Sequence, residues 1–133
     1  LKERKKVLDI CTKELVTPKG IRSLSPKSGG YTPMYVGPQS QRDQAYHQGT
    51  AWPWLTGFYL EAYLRIYKMS GLGYIERQLI GFEEELFYHC IGTIPELFDG
   101  NPPFSGRGAI SFAMNVSGIL RAIRLYERNK IED

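Results

Sequence analysis

Two short stretches of the chain hold side chains whose types and spacing suit chemistry. Between Asp43 and Trp54 the run DQAYHQGTAWPW gathers an acid, a phenol, an imidazole, amides and two indoles. Tyr46, Trp52 and Trp54 offer flat apolar faces with a polar handle, suited to the C–H face of a sugar ring, while His47, Gln48 and Asp43 can hydrogen-bond hydroxyls. Gly49 and Pro53 restrain the backbone of this run. The second stretch, GTIPELFDG from Gly92 to Gly100, carries Glu96 behind Pro95 and, three residues on, Asp99. Paired carboxylates on a stiff loop near aromatics are the equipment of glycoside hydrolysis, in which one acid protonates the leaving oxygen and one base activates water. Taken by itself, a loop glutamate is more often an ordinary solvated side chain, and Asp99 before Gly100 also reads as a turn residue.

Other signals are weaker. His89 has no second His or Cys at ligand spacing, so it reads as a partner of a helix C-terminus rather than a metal ligand, and no metal is expected. Gly71-Leu72-Gly73 and Gly106-Arg107-Gly108 lack the preceding strand and the Lys-Ser/Thr of a phosphate loop, so no cofactor is expected. Asn115-Val116-Ser117 matches a glycosylation sequon but falls inside an expected helix. Arg42 and Asp43 read as a pair stiffening their loop.

The elements that must hold these groups read as helices. Val7, Leu8, Cys11 and Leu15 recur at helical spacing, predicting helix one from Leu1 to Val16. Pro18, Pro26, Pro33 and Pro38 then mark Thr17–Ser40 as a long irregular loop, and long ordered loops are usually functional. Helix two is predicted from Ala51 to Met69, with Thr50 as N-cap, Pro53 in its first turn and apolar residues on nearly all sides. There Trp54 reads as a core aromatic as readily as a sugar platform, and His47 as a helix-entry cap as readily as a site residue. Helix three, Leu72 to His89, carries one apolar stripe opposed by Glu76, Arg77 and Glu83 to Glu85, the pattern of an outer helix. Cys90–Arg107 reads as a second loop rather than a strand pair. Helix four, Ala109 to Asn129, bears small residues Ala113, Ser117, Gly118 and Ala122 that admit a close neighbour. The expectation is four helices, no strand and a single domain over 1–133.

With 133 residues and 42% of them hydrophobic, the chain has the material for a core. Its net charge of +3 is modest, and its lysines and aromatics lie in different segments, which argues against nucleic acid. No apolar stretch approaches the roughly 20 residues of a membrane span. Cys11 and Cys90 are expected to be buried free thiols of a cytoplasmic protein. The start at Leu1, already in helical register, suggests a piece of something longer.

A nearly all-round apolar helix paired with an amphipathic one is the pattern of a toroid of inner and outer helices, in which four helices form only a sector. RSLSP (Arg22–Pro26), RDQAYHQGTAWPWLTGFYLEAYLR (Arg42–Arg65), GTIPELFDG and the GRGAISFAMNVSGILRAI that follows closely resemble the C-terminal end of the glycogen debranching enzyme family, the amylo-alpha-1,6-glucosidase domain. The resemblance runs over nearly the whole chain, with the motifs in the same order. It implies an all-α fold, the last helical hairpins of an (α/α)6 toroid. It also implies inverting hydrolysis of α-1,6-linked glucose at branch points of glycogen or limit dextrin. Glu96 maps onto the general base, with Tyr46, His47, Gln48, Trp52 and Asp99 placed as substrate contacts. The general acid, an aspartate, lies on an earlier segment absent from this chain, so the chain alone is expected to be inactive and to need the preceding part of its barrel. Exposed inner helices would then favour self-association. A glucoamylase-like or trehalase-like toroid, or a helical carbohydrate-binding scaffold without turnover, are the alternatives.

Overall fold

The computed structural model describes residues 2–130. Helix dominates, as expected, but five short strands join the helices into one antiparallel sheet, which corrects the expectation of a strandless chain. Helix α1 (Lys2–Glu14) turns Leu8 into the core, while Val7 and Ile10 on the same helix stay 62% exposed. Strands β1 (Val16–Thr17) and β2 (Gly20–Arg22) follow as a hairpin, where a loop was expected. Helix α2 (Gln39–Ala45) leads into β3 (Ala51–Trp52), and only then does α3 (Trp54–Tyr67) begin. Thr50 is therefore not its N-cap: the hydroxyl is buried and donates instead to the Tyr46 carbonyl at 2.9 Å.

The helix predicted from Leu72 to His89 is broken in two, α4 (Leu72–Ile80) and α5 (Glu85–Tyr88). The break has a tertiary cause. At Gly81 the chain crosses so close to Pro18 that a Cβ would stand 2.9 Å from the Pro18 carbonyl oxygen. Lys19 Nζ donates to the freed Gly81 carbonyl at 2.8 Å and pairs with the buried Glu85 carboxylate at 2.7 Å. Strands β4 (Leu97–Phe98) and β5 (Gly106–Arg107) pair within the segment expected to be a plain loop. Helix α6 (Ala113–Lys130) closes the described chain.

The sheet runs in sequence order, β1 to β5, every pair antiparallel. Ala51 of β3 is the partner of Phe98 of β4, so pairing brings the aromatic run and the carboxylate loop side by side. Beneath them lie two apolar clusters, one of Leu8, Ile21, Tyr59, Leu60, Leu64, Ile75 and Ala122, the other of Ala51, Phe82, Ile94, Phe98 and Ile119. Each such large side chain contributes about 1.5–3 kcal/mol by leaving water. Helices α3 and α6 meet at their glycines, where a Cβ on Gly57 would stand 2.6 Å from the Gly118 carbonyl oxygen. Of the small residues of the last helix, Gly118 admits the close neighbour as expected and Ala122 is buried in the core, whereas Ala113 and Ser117 are exposed.

Helix α3 is less enclosed than its composition suggested, since Phe58 is 56% exposed. It borders an open apolar groove of about 520 Å³ shared with α1, lined by Val7, Leu8, Cys11, Leu55, Phe58 and Ile66. Cys11 is half-buried, but Cys90 is exposed, against the expectation for a thiol of its kind. It lies past the end of α5, where no element covers it. No described helix is long and apolar enough to cross a membrane.

Candidate active site

Glu96 occupies the residue between buried Pro95 and strand β4, and its main chain is fixed from two sides. Its N–H donates to the Ala109 carbonyl at 2.8 Å. From below, the wholly buried Asn115 side chain donates to the carbonyls of Pro95 (2.7 Å) and Glu96 (2.6 Å) while its Oδ1 accepts the Trp54 N–H at 3.0 Å. One side chain therefore joins the carboxylate loop to the start of α3 and to the first turn of α6.

The Glu96 carboxylate is held as well. Oε2 accepts the Ala109 N–H at 2.8 Å, and Oε1 accepts the Tyr46 hydroxyl. Gly108 makes this possible: it has φ +71°, and a Cβ there would stand 2.4 Å from Oε2. Each carboxylate oxygen still has a lone-pair direction open, as a proton acceptor needs. Hydrogen bonding to Glu96, followed by burial, pushes the Tyr46 phenol up to about 12, so it remains a donor through the neutral range.

Tyr46 is itself boxed in by aromatics. The Trp52 and His47 rings meet it edge-on at 4.9 and 4.7 Å between centroids, and Tyr35 lies at 5.8 Å. His47 is exposed and does not cap a helix; it stacks with Trp52 at 5.9 Å and 20° between planes. Tyr46, His47, Trp52 and Trp54, with Phe112 and Met114, line an open cleft of about 260 Å³. Trp54 is thus half-buried at a cleft wall rather than sealed in the core. The Trp52 indole N–H is buried with no hydrogen-bond partner among the described residues. Gln48 presents an exposed side chain while its carbonyl accepts the Thr32 N–H at 2.6 Å.

Asp99 sits apart from the cleft residues. Its side chain is wholly buried, with Oδ1 accepting the Tyr35 N–H at 2.8 Å and Oδ2 paired with Arg107 Nη2 at 2.9 Å. This carboxylate binds three parts of the protein together: β4, the following strand β5, and the segment around Tyr35. Arg42 lies over the Tyr35 ring, 6.0 Å from its centroid, and makes no ion pair with Asp43 among the described residues. His89 lies just past α5, its Nε2 3.6 Å from the Glu85 carboxylate.

The segment from Tyr31 to Tyr35, read from sequence only as part of a long loop, straps the two functional stretches together. Pro33 accepts the Gly100 N–H at 2.8 Å, and the Tyr31 hydroxyl donates to Asn101 Oδ1 at 2.9 Å. Sequence reasoning met Asn115 only as part of a sequon and Gly108 only in a rejected phosphate-loop match, and passed over the Ala109 N–H. A polar residue at a core-facing position of α6 was the one available sign of the first; the other two depend on main-chain conformation.

A helical domain that presents a doubly hydrogen-bonded carboxylate beside an aromatic cleft has the makings of a glycosidase domain. Residues 1–121 match the family model of amylo-alpha-1,6-glucosidase, and the chain belongs to that family. It is similar to the glycogen debranching enzyme of Saccharomyces cerevisiae, 36% identical over 64 residues, which cover 44% of this chain and 4% of that protein. The chain thus spans a small part of the length of the curated relative it matches.

Proposed function

We propose that this chain supplies the general base and one sugar-facing wall of a glycoside hydrolase that removes α-1,6-linked glucose from glycogen or limit dextrin in the cytoplasm. The observation that carries the reading is the placement of Glu96: fixed in its main chain, held at both carboxylate oxygens, and joined through Tyr46 to the aromatic cleft. Glu96 takes a proton from a water whose oxygen attacks the anomeric carbon. The C–O bond to the branch oxygen breaks, its electron pair stays on that oxygen, and an acid from outside this chain protonates it. Attack opposite the leaving group inverts the anomeric centre and asks for roughly 6.5–9.5 Å between the two carboxyl groups.

His47 and the ring of Trp52 form the glucose-facing wall, and the exposed amide of Gln48, next in the chain to His47, reaches the sugar's hydroxyls. The Tyr46 ring contributes to the same wall. Asp99 acts on substrate only by holding the strap and β5 in place.

The chain forms the closing sector of an (α/α)6 barrel whose earlier helices cover the groove between α1 and α3 and bring the acid. Exposed Val7 and Phe58 in that groove support this arrangement, and they would promote self-association of the sector by itself. The test is to offer limit dextrin, maltose and trehalose to the full-length protein and to follow the released glucose by proton NMR before mutarotation. Preference for limit dextrin with β-glucose as first product supports the reading; preference for trehalose, or α-glucose as first product, refutes it.

A further inference from the structure

We propose that Tyr46 is a positioning residue for Glu96 rather than a direct grip on the sugar; this rests on the reading of Glu96 as the base. A phenol has one proton to donate, and that of Tyr46 goes to Glu96 Oε1. What remains on the phenol oxygen is acceptor capacity, so it cannot also donate to a glucose oxygen without releasing the carboxylate. Its ring, moreover, has little freedom to swing away. Trp52 and His47 abut it edge-on and Tyr35 lies on a further side, while the Tyr46 carbonyl accepts the buried Thr50 hydroxyl at 2.9 Å.

The two donors to Glu96 come from separate elements. Ala109 N–H belongs to the turn after β5, and Tyr46 follows directly on α2. Between them they fix the carboxylate plane, leaving χ rotation of Glu96 as the motion that Tyr46 suppresses. A base free to rotate spends much of its time away from the attacking water, and a misplacement of about 1 Å can cost on the order of a hundredfold in rate. Binding of sugar through the neighbouring indole and imidazole does not depend on that rotation. The Tyr46 hydroxyl therefore acts on turnover, and its loss leaves the ring in the wall and affinity unchanged.

The experiment compares Tyr46→Phe, Glu96→Gln and the double variant in the full-length protein, measuring kcat and KM on limit dextrin. The expected result is a kcat lowered about ten- to a hundredfold by Tyr46→Phe with KM within about twofold, and a double variant no slower than Glu96→Gln alone. A raised KM with kcat intact would show that the phenol grips sugar and overturn the proposal. So would losses that multiply in the double variant, or a Tyr46→Phe variant indistinguishable from the parent. Full activity of Glu96→Gln by itself is a different failure, that of the base assignment. If Tyr46→Phe does not fold, 3,5-difluorotyrosine at position 46 keeps the shape and the hydroxyl while changing its donor strength. A changed kcat at constant KM then supports the proposal, and unchanged kcat overturns it.

Discussion

The Asn115 amide donates to the Glu96 main-chain carbonyl at 2.6 Å from a wholly buried position. Since the same side chain also holds the Pro95 carbonyl and the Trp54 N–H, Glu96 is registered against both α3 and α6 by one residue. The Glu96 loop is thereby tied to the helices of the core.

Asn115→Ala removes three hydrogen bonds and leaves a buried N–H and two carbonyls without partners. A loss of about 2–4 kcal/mol in unfolding free energy is expected, measured by urea denaturation. Asn115→Asp keeps an acceptor for Trp54 but turns a carboxylate toward the two carbonyls, so it should be no better tolerated. A loss below about 0.5 kcal/mol for both variants would contradict the placement of Asn115.

Gly108→Ala puts a Cβ 2.4 Å from Glu96 Oε2, at a residue with φ +71°. The Glu96 carboxylate must rotate to admit it. The expected outcome is a loss of turnover on the order of tenfold or more with a stability cost of about 1–2 kcal/mol, read by comparing kcat with the melting curve. Equal kcat in variant and parent would mean that the carboxylate position does not matter.

The Tyr46 phenol offers a spectroscopic check. Raised to about 12 in the folded protein from its ordinary value of 10.0, it favours folding while protonated. Its contribution is complete below the unfolded value, near pH 10, and is lost as pH climbs toward 12. A phenolate difference titration between the parent and Tyr46→Phe isolates this group; it should titrate near 12, and nearer 10 once Glu96 is changed to Gln. Titration near 10 in both backgrounds would refute the hydrogen bond.

Gly118→Ala tests the helix packing below the site. The added methyl would lie 2.6 Å from Trp54 Cα and 2.8 Å from the Trp54 carbonyl oxygen, both main-chain atoms with little room to yield. Forcing α3 and α6 apart should cost about 1–3 kcal/mol, and Gly57→Ala a similar amount, by thermal or urea unfolding. Unaltered stability in both variants would contradict so close an approach.

Which parts of this architecture could be read from the chain follows from the range of the forces involved. The helical runs around Leu8, Leu60 and Ile119 announced themselves because apolar spacing is a local property. Strands two residues long, such as Ala51–Trp52 and Leu97–Phe98, carry no alternation to read, and their pairing depends on contacts far along the chain. The break at Gly81 was hidden for the same reason, since its cause is Pro18 and Lys19. Among the site residues, Tyr46, His47, Trp52 and Glu96 stood out by chemical type, and the structure brings them to one cleft and its margin. Asp99 looked like a second functional acid because composition cannot distinguish an exposed carboxylate from one locked against Arg107. Asn115 showed in the sequence only as part of a sequon, because its work is done on main-chain atoms.

The role of Glu96 is tested most directly by Glu96→Gln in the full-length protein, with single-turnover hydrolysis of limit dextrin measured beside its binding. Loss of the base should slow the chemical step by about a hundred- to ten-thousandfold while the dissociation constant for limit dextrin stays within a few fold. Hydrolysis at the parent rate by a correctly folded variant would contradict the assignment.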